Sequence, residues 1–362
     1  ICTTAHPTGC EENVREQIAY VKSQGVMEGP KRVLVIGAST GYGLASRITA
    51  AFGCKAATLG IMFERPANGK RTATAGWYNT AAFEKFAADE GLYAKSINGD
   101  AFSVAVKEQA IQMIREDLGQ VDLVVYSLAA PRRTTADGVT YSSVLKTTGE
   151  TFTEKSLDLR SGEIVTKSVE PAGEGELEGT IKVMGGEDWE DWMKALMNAG
   201  VLAEHAKTVA YSYIGPEITY PIYKDGTIGH AKQHLQMTAR KMNQEMNGLT
   251  AVVSVNKALV TQASAAIPIV PLYFAILYKV MKEQGSHEGC IEQISRLFHT
   301  KLLADPMPLD KEGLIRMDDW ELDPKVQNEV MKTWKMVTTE NVKELSDVDG
   351  FCEDFYHMFG FH

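Results

Sequence analysis

The sequence predicts an α/β fold: a doubly wound parallel sheet with helices on both faces. Three observations lead there. Short, almost wholly apolar runs recur about every 30 residues, as buried parallel strands require. Segments with helical spacing separate them. The first run, Val33-Leu34-Val35-Ile36, ends in a glycine-rich turn, Gly37-Ala38-Ser39-Thr40-Gly41-Tyr42-Gly43, that opens a helix pattern. Glycines at such a turn let the backbone approach a pyrophosphate, which free N–H groups at the helix start then bind. The fold is therefore read as Rossmann-like, with a dinucleotide site.

At 362 residues the chain can bury a large core. We read 1–362 as a single dinucleotide-binding domain, with an insertion at 131–185 over the active face and a C-terminal helical segment at 305–362. The net charge of -10 argues against nucleic acid or an anionic membrane as partner. Cys2, Cys10, Cys54, Cys290 and Cys352 are scattered, which suits a reducing cytoplasm. Cys2, His6 and Cys10 lack a second cluster, so no metal is expected. No signal or transit peptide is recognisable. A chain opening on Ile1 is expected to have lost some N-terminal residues. The longest apolar run, Ala265 to Tyr278, is 14 residues and holds Pro268 and Pro271, too short and interrupted to span a bilayer.

Taken in order, Glu11 to Ser23 is expected as a helix, broken by Gly25 to Pro30. After the glycine turn a helix runs through Phe52. Ala57 to Phe63 is the second strand, ending at Glu64-Arg65. Glu64 lies 21 residues past Gly43, where a carboxylate accepts from a ribose 2′-hydroxyl and repels a 2′-phosphate. Arg65 beside it favours that phosphate, and a solvated strand-end charge is the plain alternative. Trp77 to Ala88 is a helix. Leu92 to Ile97 is the third strand, running to Asp100-Ala101, where an Asp faces an adenine. Val104 to Leu118 is a helix and Val121 to Pro131 the fourth strand. Its small terminal residues leave room for a ribose and nicotinamide. Thr153–Leu159 and Glu163–Val169 flank Arg160-Ser161-Gly162 as a hairpin. Arg132 and Arg133 suit either the phosphates of a carrier or plain solvation. Glu187 to Asn198 is a helix with Trp189 and Trp192 as packing anchors.

Ala206 to Ile214 is the fifth strand, ended by Gly215-Pro216. A helix with Lys232 follows, from Ile228 to about Met246, and Tyr223 lies on the loop between. A phenol ahead of a helix that carries an ammonium makes an acid: the cation lowers the phenol's pKa, and the hydroxyl donates to an oxygen gaining charge. A core tyrosine is the plain alternative. His230 and His234 have metal-ligand spacing but lack the Glu of H-E-x-x-H, and Lys232 between them opposes a cation. Thr250 to Val255 is the sixth strand. The backbone of Asn256 to Ser264 is placed to clasp a carboxamide, with Thr261 reaching the pyrophosphate. Ala265 to Glu283 is an apolar helix, either core or an acyl pocket. Glu288 to Leu303 is a further helix. A loop, a small hairpin near Ile315-Arg316-Met317 and two acidic helices complete the chain.

A strand, a G-x3-G-x-G turn and a Tyr…Lys pair after the fifth strand resemble the short-chain dehydrogenase/reductase superfamily. There the two residues are usually four apart. Here Tyr223-x8-Lys232, with Tyr213 ten residues before Tyr223, resembles the trans-2-enoyl-CoA reductases and FabV-type enoyl-acyl-carrier-protein reductases. I-C-T-T-A-H-P-T-G-C at 1–10, V-M-G-G-E-D-W at 183–189, A-Y-S-Y-I-G-P at 210–216 and K-E-Q-G-S-H-E-G-C-I-E-Q at 282–293 are similar to that family. The likeness covers essentially the whole chain. It implies that Tyr223 is the proton donor, that Tyr213 contacts the substrate and that Lys232 binds the nicotinamide ribose. It implies that Gly37, Ala38, Ser39, Thr40, Gly41, Tyr42, Phe63, Glu64, Asp100, Ala101, Leu128, Ala129, Leu259, Val260 and Thr261 hold NAD, with Glu64 linked to preference for NADH. The expected reaction is NADH-dependent reduction of the C2=C3 bond of an enoyl-CoA or enoyl-acyl-carrier-protein in fatty acid synthesis, by a cytoplasmic monomer. A ketoreductase and a non-catalytic NADH-binding regulator are the alternatives.

Overall fold

The computed structural model describes residues 4–261, 264 and 267–362. Cys2 and the expected helix start at Ala265 lie outside the described residues. Helix α1 (Pro7–Ser23) starts a turn earlier than its apolar spacing indicates. Pro7 suits the first helical turn, and His6 caps it by accepting from the Gly9 N–H at 3.1 Å. Then β1 (Arg32–Ile36), α2 (Gly41–Ile48), β2 (Ala57–Met62), α3 (Ala75–Asp89), β3 (Ala94–Asn98), α4 (Val104–Met113) and β4 (Val121–Tyr126) alternate. Helices α2 and α4 each run on into a π turn, at Thr49–Gly53 and Ile114–Leu118.

The alternation stops at two antiparallel hairpins, β5 (Arg132–Thr134) with β6 (Thr140–Ser142), and β7 (Phe152–Asp158) with β8 (Glu163–Val169). Gly162 turns the second at φ 74. Helices α5 (Glu176–Met184) and α6 (Glu187–Asn198) lead into β9 (Leu202–Ser212), α7 (Thr227–Glu245) and β10 (Thr250–Val255). Neither β5–β6 nor α5 was expected; β5–β6 lies in the stretch from Arg132 to Pro171, which is rich in Thr, Ser and Gly. The remaining elements are α8 (Val270–Glu283), α9 (Cys290–Leu297), β11 (Ile315–Arg316), α10 (Pro324–Met336), α11 (Val342–Leu345) and α12 (Val348–His357). Residue Pro271 lies in the first turn of α8, where its missing N–H costs nothing.

Seven strands form one sheet in the order β11-β10-β9-β4-β1-β2-β3, all parallel. The expected hairpin near Ile315 is instead the seventh strand. Ile315 is fully buried and pairs with Ser254, and Arg316 pairs with Val255. Two residues carry no period of their own, so their distant partner leaves no trace in the local pattern. Helices α1, α2, α3 and α9 cover one face, and α4, α6 and α7 the other. A third cluster joins the β7–β8 hairpin, Ile222, α8 and α10 to α12. It is tied by Lys155 Nζ to the Trp334 carbonyl at 2.7 Å.

One buried ion pair braces the β3 and β4 ends. Lys107 Nζ lies 2.7 Å from Asp188 Oδ1 and also donates to the Ala101 and Phe102 carbonyls. Asp188 Oδ2 accepts from Tyr126 at 2.9 Å, and Trp192 donates to Ala101. Asp188→Ala strands the ammonium and is expected to cost about 3–5 kcal/mol. A lowered urea midpoint followed by circular dichroism would register this. The exposed Glu204→Ala serves as control, and equal midpoints for the two would contradict the bracing role.

Candidate active site

In a parallel sheet every strand delivers its carboxyl end to the same edge. The order reverses between β1 and β4, so the chain leaves these two neighbours in opposite directions, and sheets of this kind bind their ligands at such a point. The sequence-predicted positions follow six of these ends: Gly37 to Tyr42 after β1, Phe63 and Glu64 after β2, Asp100 and Ala101 after β3, Leu128 and Ala129 after β4, Tyr213 after β9, and Leu259 to Thr261 after β10.

The β1 turn is pressed against β4. A Cβ on Gly37 would come 2.2 Å from the Ser127 carbonyl oxygen, and its φ of 82 excludes most side chains. The α2 N-terminus, capped by no side chain, opens directly behind. This cradle fits a pyrophosphate. Tyr42 reaches away, its hydroxyl donating to the Lys257 carbonyl at 2.8 Å. Glu64 accepts from Ser39 Oγ at 2.5 Å and from the Thr74 hydroxyl, so it ties the glycine turn to the start of α3. Phe63 is 76% exposed beside it, open to a stacking partner. Asp100 accepts from the Phe102 N–H, and Ala101 is held by Lys107 and Trp192. Leu128 packs on the second core while Ala129 is exposed. Leu259 and Val260 are buried, and the Val260 N–H donates to the Tyr278 hydroxyl. The Thr261 N–H donates to Ser264 Oγ.

Tyr223 sits on a tight turn held by its N–H to the Thr219 carbonyl at 2.9 Å. That turn lies on the first turn of α7. A Cβ on Gly229 would be 2.1 Å from the Tyr223 carbonyl oxygen. Lys232 is three residues on, hence on the same helix face. Its Nζ donates to the Tyr211 carbonyl at 3.0 Å, which fixes it to the end of β9. Two residues further, Tyr213 packs edge-on against Tyr223 with ring centroids 4.9 Å apart. The loop and the strand thus bring Tyr223 and Tyr213 into contact, while Lys232 is anchored two residues back on the same strand, at the Tyr211 carbonyl.

The electrostatics correct one expectation. Lys232 does not lower the Tyr223 pKa. Burial, and then the negative charge of Glu321, hold that phenol above its usual value. Burial likewise pushes the Lys232 ammonium down to about 8. Tyr223 is therefore a firmly protonated donor at neutral pH.

Three polar residues escaped the sequence reading. Glu321 lies in an acidic run that looks solvated, yet it is fully buried and accepts from Tyr213 at 3.0 Å. Lys257, 2% exposed, donates to the Ala258 carbonyl at 2.9 Å and faces the Tyr278 ring. Burial lowers its pKa to about 8. Gln293 accepts from the Lys257 N–H at 2.8 Å. Their partners lie far off in sequence, or in backbone, and no local pattern announces them. Arg133, by contrast, is not available to a carrier. It is buried against Glu187 at 2.8 Å and the Lys182 carbonyl at 2.7 Å, while Arg132 is exposed. His234 accepts from the Gly186 N–H, and no metal-binding group occurs among the described residues.

Comparison with known proteins places this geometry. A family profile described as the trans-2-enoyl-CoA reductase catalytic region matches residues 71–303. Another, the NAD(P)H binding domain of trans-2-enoyl-CoA reductase, matches 1–69. The enoyl-[acyl-carrier-protein] reductase [NADH] of Cytophaga hutchinsonii is 56% identical, over 100% of this chain and 92% of the relative. The trans-2-enoyl-CoA reductase [NADH] of Ruminiclostridium cellulolyticum is 55% identical with the same coverage. The crystal structure of Clostridium acetobutulicum trans-2-enoyl-CoA reductase in complex with NADH superposes with a TM-score of 0.97 at 47% identity, covering 100% of this chain and 92% of that one. A third profile, described as an enoyl reductase FAD binding domain, matches 309–362. Those residues do not fit a flavin: β11 has two residues, no glycine-rich turn follows it, and α10 and α12 pack against α8. The chain belongs to the trans-2-enoyl-CoA reductase family.

Proposed function

We infer that this protein reduces the C2=C3 double bond of trans-2-enoyl thioesters with NADH, giving the saturated acyl thioester in fatty acid synthesis. Full-length similarity to NADH-dependent enoyl reductases carries this reading. The relatives' names divide between CoA and acyl-carrier protein, which present the same acyl chain. On this reading the protein works as a monomer in the cytoplasm. The four described cysteines are unpaired, and no described helix is long and apolar enough to cross a membrane.

Bound NADH supplies a hydride to C3 of the enoyl chain. The protein's part is to handle the charge that results. Negative charge gathers on the thioester oxygen, and the Tyr223 O–H donates to it. That contact stabilises charge absent from the ground state, which is what lowers a barrier. The proton reaches C2 from Tyr223 or through solvent. On this reading Lys232, whose Nζ donates to the Tyr211 carbonyl, binds the nicotinamide ribose. The turn from Gly37 to Tyr42 takes the pyrophosphate. Glu64, whose two oxygens each accept one hydroxyl and keep a lone pair free, accepts from the adenosine ribose.

Tyr223→Phe is expected to lower kcat with crotonyl-CoA by roughly two orders of magnitude or more, with NADH affinity retained. Near-normal turnover would remove Tyr223 from the role of acid. A pH dependence follows from Lys232. With a pKa near 8 it is charged below pH 8 and neutral above. NADH affinity, read by fluorescence titration, should weaken as pH rises through about 8, and Lys232→Met should flatten that limb. Because burial brings Lys257 to a similar value, a limb that persists in Lys232→Met would assign it elsewhere.

A further inference from the structure

Glu321 lies between β11 and α10 with no exposed surface. Three donors converge on its carboxylate. The Ala258 N–H reaches Oε1 at 2.6 Å. The Tyr213 and Tyr273 hydroxyls reach Oε2 at 3.0 and 2.9 Å. Gln327 Nε2 donates to the Tyr273 hydroxyl at 3.2 Å and to the Glu321 carbonyl at 2.7 Å, which holds the cluster from behind. A buried carboxylate needs such donors, and charge-assisted bonds of this kind are the strong ones.

A phenol has one hydrogen to donate. That of Tyr213 is committed to Glu321, so its oxygen offers only lone pairs to anything else. Tyr223, packed edge-on against it, has no hydrogen-bond partner for its hydroxyl among the described residues. The two phenols in contact, Tyr213 after β9 and Tyr223 on the loop before α7, are therefore not equivalent, although the sequence presents them as a pair. The same carboxylate holds the backbone at Ala258, one residue before the stretch from Leu259 to Thr261 that the reading above assigns to the cofactor.

We propose that Glu321 is a positioning residue for the reaction: it takes the hydroxyl hydrogen of Tyr213, fixes that phenol as an acceptor, and leaves Tyr223 as the phenol that donates to the thioester oxygen. The proposal rests on the reading of Tyr223 given above.

Glu321→Gln tests it by reversing one hydrogen bond. The Ala258 N–H selects the amide oxygen for the Oε1 position. The amide nitrogen then occupies the Oε2 position and donates to both phenols, which must turn their own hydrogens away. Tyr213 becomes a donor. In a Tyr223→Phe background, Glu321→Gln should therefore raise kcat with crotonyl-CoA on the order of tenfold, part of what one oxyanion donor supplies. Adding Tyr213→Phe should abolish the gain. A merely structural Glu321 predicts no gain. A Tyr223→Phe/Glu321→Gln protein that binds NADH as Tyr223→Phe does, yet turns over no faster, overturns the proposal. If Glu321→Gln fails to fold, Tyr213→Phe alone decides. Its residual turnover should keep the wild-type solvent deuterium isotope effect, since the donor is intact, and loss of that effect overturns the proposal. Full activity in Tyr223→Phe would instead remove the underlying acid assignment and leave the Glu321 geometry untouched.

Discussion

Parallel pairing throughout the sheet is the constraint on which the chemistry of this protein depends. Seven strands in one direction require a crossover after nearly every one, and they place all their carboxyl ends along a single edge. Because the chain departs from β1 and β4 in opposite directions, that edge is split at its middle. The positions proposed for the cofactor follow the carboxyl ends of strands along that one edge. The glycine turn after β1 tightens the arrangement, since Gly37 lies so close to Ser127 that a methyl group between them has no room. The third apolar cluster, built from the β7–β8 hairpin, α8 and the C-terminal helices, meets the crevice at Tyr213 and Tyr223.

Burial sets the charge states at that meeting point. It raises phenols and lowers ammonium groups, because both move toward their neutral forms when water is removed. Tyr213, Tyr223 and Tyr273 are all held above the ordinary phenol value, with the negative charge of Glu321 acting in the same direction. Lys232 and Lys257 are both brought to about 8. The picture of a lysine that sharpens the acidity of its tyrosine does not describe this site. A phenol that keeps its proton until charge develops opposite it serves the reaction as well.

Much of the fold was legible because its signals are local. Apolar runs for β1, β2 and β4, the glycine turn, the Arg160-Ser161-Gly162 hairpin and the span of α6 follow from residues adjacent in sequence. Tyr223 and Lys232 were read as a pair from their order in the chain and Tyr213 only from a family likeness; the structure packs Tyr213 against Tyr223. What stayed hidden depends on distance. The pair residues of β11 contribute to a sheet whose nearest strand ends sixty residues earlier, at Val255. Glu321 looks like one more acid in Asp318-Asp319-Trp320-Glu321 until the fold brings Tyr213 and Ala258 to it. Arg133 and Lys107 look like surface cations until α6 supplies Glu187 and Asp188. Burying a charge is costly without a partner, but the sequence shows the charge and not the burial.

The central claim is that a protonated phenol, Tyr223 on the loop before α7, meets the thioester oxygen beside the nicotinamide. A crystal structure of the complex with NAD and butyryl-CoA, the product pair, tests it most directly. The account predicts the Tyr223 hydroxyl within about 2.6–3.2 Å of the thioester carbonyl oxygen, with Tyr213 still turned to Glu321. A thioester oxygen bonded to a water or to another side chain, with the Tyr223 hydroxyl facing elsewhere, would contradict it.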